Sequence, residues 1–205
     1  RYFRRNEGST DYATIPEVTL AGDFVIEFDV LPNLSAGIFR VFGNSSEVSS
    51  RLLINTNGSV NYISSDSGES GTSAAGVVVG NVFNTIRIVR NGNIVEMFVG
   101  GVSVLSLTTL SGLLIDQLFR QAGFIDGSGI LSSFKIYDNG TLIHNWPINS
   151  NANTEADLVS GAIMTIINGN ASDWGLFDRQ ADGDWKGNGL SVPPWDSVDQ
   201  VLVTA

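Results

Sequence analysis

Between Asp173 and Gly187 the chain reads DWGLFDRQADGDWKG, setting Asp173, Asp178, Asp182 and Asp184 beside Trp174 and Trp185. Carboxylate oxygens ligate hard cations such as calcium. Tryptophan rings stack on the C–H faces of sugars while nearby Asp and Asn take up their hydroxyls. Asp178, Asp182 and Asp184 are therefore candidate calcium ligands. They do not form an EF-hand: counted from Asp178, the third and twelfth positions hold Gln180 and Gly189 where Asp or Asn and Glu are required. A looser calcium site on Asp182, Asp184, Asn188 and backbone carbonyls stands beside the plainer expectation of an acidic turn solvated by water. All four tryptophans, Trp146, Trp174, Trp185 and Trp195, fall in the last 60 residues. Trp174, Trp185 and Trp195 with Asp184 and Asn188 form the candidate glycan contact. The competing expectation is packing, in which the rings plug a returning C-terminal segment into place. Pro193 and Pro194 would stiffen its extended approach to a last strand.

Elsewhere the sequence offers little for catalysis. His144 is the only histidine, and no G-x-S-x-G elbow or comparable signature accompanies it, so a structural or surface histidine is expected. The five N-x-[ST] matches, at Asn33, Asn44, Asn57, Asn139 and Asn170, suit an Asn-, Ser- and Thr-rich chain and carry no assigned function. The absence of cysteine excludes disulfides, thiolate metal sites and cysteine nucleophiles.

The net charge of −10 argues against a nucleic-acid partner, because binding a phosphate backbone relies on clustered Lys and Arg. The C-terminal quarter, residues 149–205, is the acidic part, with 8 acids against 2 bases. The apolar runs are far shorter than the roughly 20 residues of a membrane span. The opening RYFRRNEGSTDY lacks the apolar stretch of a leader, so a fragment or processed product of something longer is expected.

The elements that must position these residues read as β-strands. In GDFVIEFDVLP, Phe24, Ile26, Phe28 and Val30 alternate with Val25, Glu27, Asp29 and Leu31, which is a half-buried strand. AGIFRVFG, SRLLIN and SVNYIS follow as strands, the last two joined across Thr56, Asn57 and Gly58. Residues Asn84 to Thr108 read as a three-stranded meander with turns at Asn91-Gly92 and Gly100-Gly101. Two more strands flank Asp138-Asn139-Gly140. Leu113, Leu114, Leu118 and Phe119 recur at helical spacing, which predicts a short helix within Leu110 to Gly123. Residues 149–161 read as a loop, AIMTIING as a strand and DQVLVTA as a terminal strand. About a dozen strands predict an all-β chain of two packed antiparallel sheets, a jelly-roll sandwich. A single domain over residues 1–205 is expected, with 149–205 wrapping back over it.

Three stretches, DFVIEFDVLP, NTIRIVRNGNIVEMFVGGVSV and GFIDGSGILSSFKIYDNGTLIHNWPIN, together resemble the concanavalin A-like, laminin-G-like lectin sandwich. The segment Trp146 to Gly175 is similar to the ends of laminin-G-like modules in tailed-bacteriophage virion and tail proteins. The resemblance covers most of residues 10–175. It implies a sandwich with one concave sheet used for glycan or protein contact, sometimes with calcium at its rim, and no fixed set of contact residues. It places the chain outside the cell or on a virion surface, with a glycan or host-surface receptor and other virion or surface proteins as partners. Glycosidases on this fold carry an E-x-D-x-x-E strand; here Glu27 and Asp29 are followed by Pro32, so the acid/base pair is missing at that spacing. The expected function is a non-catalytic glycan- or surface-binding module. Its rivals are a structural virion or fibre domain making protein contacts and, last, a polysaccharide-degrading enzyme.

Overall fold

A computed structural model describes residues 2–5, 12–46, 50–64, 69–119, 128–148, 154–167, 174–175, 177–179 and 185–187, the first and the last three of these in backbone alone. It is an all-β structure of two eight-stranded antiparallel sheets. Strands are numbered in chain order. The first sheet runs β10 (Val102–Thr108), β9 (Ile94–Val99), β8 (Asn84–Asn91), β3 (Phe24–Pro32) and β12 (Gly129–Asp138). Beyond β12, its N-terminal half pairs with β1 (Tyr2–Arg5), which in turn pairs with β16 (Trp174–Gly175); its C-terminal half pairs with β13 (Thr141–Trp146). The second sheet runs β14 (Thr154–Ala156), β15 (Ile163–Ile167), β2 (Tyr12–Leu20), β11 (Leu113–Leu118), β4 (Phe39–Gly43), β5 (Arg51–Ile54), β6 (Val60–Ile63) and β7 (Ser70–Thr72). A separate pair joins β17 (Phe177–Arg179) to β18 (Trp185–Gly187).

The period-2 pattern explains the layering, since alternate side chains of a strand leave opposite faces. On β3, Phe24, Ile26, Phe28 and Val30 are buried while Val25, Glu27 and Asp29 are only half-buried. The apolar sets of both sheets meet in one core. At its centre Phe28 stacks on Phe134 with ring centroids 5.8 Å apart, Phe42 meets both rings edge-on, and Phe134 leans on Trp146 at 6.3 Å. Each such pair adds about 0.5–1.5 kcal/mol beyond area burial. The turns are local: Asn139 (φ 47°) with Gly140 (φ 79°), and Gly100 (φ 56°) with Gly101 (φ 82°), supply the two left-handed positions of type I′ hairpins.

Two sequence expectations are corrected. The helix within Leu110 to Gly123 is strand β11 over Leu113–Leu118, and residues 120–123 lie outside the described ones. A bulge at Asp116 shifts the register between Ile115 and Gln117, so Leu113, Ile115 and Leu118 all face the core. That 2-then-3 spacing, followed by Phe119 at φ 64°, imitates a helical repeat. The segment read as a loop contains β14, which extends the edge of the second sheet. Strand β2 escapes a pattern reading because Pro16 and Glu17, both exposed, sit at an irregularity where its partner register shifts between Val18 and Thr14.

Candidate functional site

The sequence-expected site lies largely outside the described residues. Asp182, Asp184, Asn188 and Trp195 are not described, nor is the expected terminal strand. Asp178 falls on β17 and Trp185 on β18, which pair so that Asp178 is opposite Lys186 and Arg179 opposite Trp185. Trp174 falls on β16, opposite Phe3 of β1. The fourth tryptophan, Trp146, is fully buried in the core and packs rather than contacts ligand. Among the described residues no group of three or more His, Asp or Glu side chains is arranged to hold a metal ion. No helix among them is long and apolar enough to cross a membrane.

His144 and Asp157 form a tight polar knot that is structural. The His144 Nδ1–H donates to Asp157 Oδ2 at 2.7 Å, and the Ser160 hydroxyl and amide donate to the same oxygen. Asp157 Oδ1 accepts from the amides of Asn145 (2.6 Å) and Val159 (3.0 Å). The His144 ring stacks on Trp146 at 4.8 Å. A Ser-His-Asp triad needs serine and aspartate on opposite ring nitrogens. Here the Ser160 oxygen lies on the Nδ1 side with Asp157, at 3.4 Å from that nitrogen, so no proton relay can form. Burial alone would push the Asp157 carboxyl up. The hydrogen bonds from Ser160, from the Asn145 and Val159 amides and from His144 outweigh it and hold the group well below the ordinary carboxylate range.

Three of the N-x-S matches also prove structural. The Asn33, Asn44 and Asn57 side-chain oxygens each accept from the backbone N–H and hydroxyl of the serine two residues on. These are Asx-turns closing loops.

The described surface with binding chemistry is the outer face of the first sheet. Register places Ser103, Phe98, Arg87, Glu27, Lys135 and Asn145 in one row across β10, β9, β8, β3, β12 and β13. From Phe98 to Asn145 the row crosses four strand spacings, roughly 19 Å. A second row two residues along holds Glu96, Val89, Val25 and Tyr137. Arg87 Nε donates to Glu27 Oε1 at 3.0 Å, with 47% and 35% of the two side chains exposed. Asp29, one pair further along β3, accepts from the Thr85 hydroxyl at 2.6 Å. The face thus presents fixed hydrogen-bonding groups beside two half-buried aromatic rings, Phe98 and Tyr137.

Glu27 and Asp29 share the face, both half-buried, and each already accepts from a neighbour. Sequence reading placed Glu27 and Asp29 on one side of a strand and Arg87 on another strand. It did not single out Phe98, Arg87, Lys135, Tyr137 or Asn145 as a set. Parity along each strand carried the only signal for them.

Neither a family model nor a curated protein sequence matches the chain. Solved structures do. A candidate carbohydrate-binding protein from Bacteroides ovatus ATCC 8483 aligns with a TM-score of 0.62 at 12% identity, over 82% of this chain and 59% of that one. This chain therefore spans well under two thirds of that protein. The native heptameric SAP-like pentraxin of Limulus polyphemus aligns with a TM-score of 0.50 at 9% identity, over 66% of this chain and 75% of that one. The carbohydrate-binding module CBM66 of Bacillus subtilis gives 0.45 at 11% identity, over 66% of this chain and 86% of that one. At these identities the likeness is one of fold, and the fold is a two-sheet antiparallel sandwich.

Proposed function

We propose that the chain is a non-catalytic glycan- or surface-binding module. The observation that carries this reading is the row Phe98–Arg87–Glu27–Lys135–Asn145, a polar strip bounded by an aromatic ring on the outer face of the sheet. Saccharide recognition asks for that combination: an apolar plate for the ring and fixed polar groups for its hydroxyls. The fold shared with a candidate carbohydrate-binding protein supports the reading. The mixed polarity of the face gives less support to a purely structural virion domain, which would bury a flat apolar patch.

In this reading the module belongs to a phage tail, a virion or a bacterial surface protein, acts outside the cell, and meets a glycan or host-surface receptor. The likeness of Trp146 to Gly175 to the ends of bacteriophage modules supports that setting. The test is a glycan array and affinity electrophoresis across bacterial and marine polysaccharides, with labelled protein applied to intact bacterial cells. Each assay is run with calcium and with chelator, which also tests the expected cation at Asp178, Asp182 and Asp184. Retention of at least one polysaccharide is expected. Failure of a folded sample to bind any glycan or cell would sink the reading, and release of reducing or unsaturated ends would replace it with the enzymatic one.

A further inference from the structure

The open face also constrains which saccharide it can hold. Arg87 is tethered through Nε, and among the described residues its two terminal nitrogens make no hydrogen bond or ion pair. The same holds for the Lys135 ammonium, the second Glu27 oxygen and the Asn145 side-chain amide. Donor, acceptor, donor and mixed group therefore follow one another along the row at single-strand spacing, about 4.8 Å. An exposed ion pair such as Arg87–Glu27 adds only about 0–1 kcal/mol to stability, so the fold does not depend on it. Fixed alternating charges instead address a hydroxyl, which donates to the carboxylate and accepts from the cation at once.

Charge balance decides between ligand classes. Among the residues with described side chains the face holds Glu27, Asp29 and Glu96 against Arg87 and Lys135, while Arg4 of β1 stands in register with Ile130 and Leu31, and the chain as a whole carries a net charge of −10. A polyanion would meet the net negative charge of the chain at long range, with no excess of cations on the face to offset it. A neutral polyol meets no such barrier. We infer that the row is a subsite for a neutral, hydroxyl-rich saccharide lying across the strands, one ring against Phe98 and adjacent hydroxyls bridging Arg87 to Glu27 and Glu27 to Lys135. This rests on the glycan-binding reading and narrows it to one ligand class and one set of contacts.

The test is affinity electrophoresis with the intact chain on neutral polymers (laminarin, galactomannan, glycogen) and acidic ones (polygalacturonate, dextran sulfate). The variants are Arg87→Gln, Glu27→Gln and Phe98→Ala, with Glu17→Gln on the other sheet as control; circular dichroism and thermal unfolding establish that each is folded. At least one neutral polymer is retained and the acidic ones are not. Each row variant weakens retention about tenfold or more, the scale of a lost charge-assisted hydrogen bond or stacked ring, and Glu17→Gln leaves it unchanged. Preference for the acidic polymers overturns the ligand class and leaves the glycan reading standing. Retention of a neutral polymer undisturbed by the row variants overturns the site alone. Retention of no polymer overturns this inference, and the wider reading falls with it only if the glycan array and intact cells also show no binding.

Discussion

The Asp157 carboxylate accepts from three backbone amides, one hydroxyl and one imidazole, and no part of its side chain is exposed. Asp157→Asn keeps the shape but removes the charge and half the acceptors. It is expected to cost about 1–3 kcal/mol at neutral pH, read as a lower urea midpoint. Because the folded-state pKa is depressed, the stability this group supplies is complete above its unfolded value near 3.9 and is lost as pH falls below that toward the folded value. The gap between wild type and variant should therefore be constant above about pH 5 and narrow in acid. A gap that widened in acid would contradict the assignment. Glycine acts differently at Gly129, where an added Cβ would lie 2.5 Å from the buried Phe39 ring. Gly129→Ala is expected to lower stability by about 1–3 kcal/mol through overpacking, measured by thermal unfolding.

Strand β11 is the element whose position matters most to the second sheet, since it lies between β2 and β4 and sends Leu113, Ile115 and Leu118 inward. Leu118→Ala should cost about 2–5 kcal/mol, the range for emptying a leucine site in a packed core. Ile94, at the start of β9 and 51% exposed, is equally apolar, yet Ile94→Ala is expected to change stability by less than about 0.5 kcal/mol. Chemical denaturation of both variants checks the pair, and comparable losses would mean that β9 is buried in a way the fold does not show. The row of the candidate site depends on elements in the same manner: β3 lies between β8 and β12, so Glu27 stands between Arg87 and Lys135. Parity along β3 is legible as a run of alternating residues, but its two neighbours are not.

Across the molecule, sheet closure joins residues far apart in the chain. Thr14 pairs with Thr165, and Val25 with both Val89 and Tyr137. Residues 154–167 of the acidic C-terminal quarter are built into the sandwich: Met164 and Ile166 belong to the core, and Asp157 locks His144 beneath Trp146. A chain ending at residue 148 is expected to lose its cooperative thermal transition or to aggregate, because it uncovers β2 and leaves His144 without its acceptor. A cooperative transition close to that of the intact chain would show these strands to be dispensable. Pairings of such long range must also close large loops before they are rewarded, so refolding in milliseconds to seconds is expected by stopped-flow tryptophan fluorescence, not in microseconds.

Alternation along β3, β8, β9 and β12, the Gly-bearing turns between hairpin strands and the absence of cysteine are properties of adjacent residues, and from them the sequence alone determined an all-β chain in two antiparallel layers. A period of two states which side chains share a face whatever lies beside the strand. The exceptions arose where a bulge breaks that period, as at Asp116, and where a proline interrupts it, as at Pro16. Which strands become neighbours, and therefore that Phe98, Arg87, Glu27, Lys135 and Asn145 line up, only the tertiary structure decided. Those five residues come from five strands in three separate stretches of chain, and register between distant strands is set by the packing of the whole core, for which no local pattern codes.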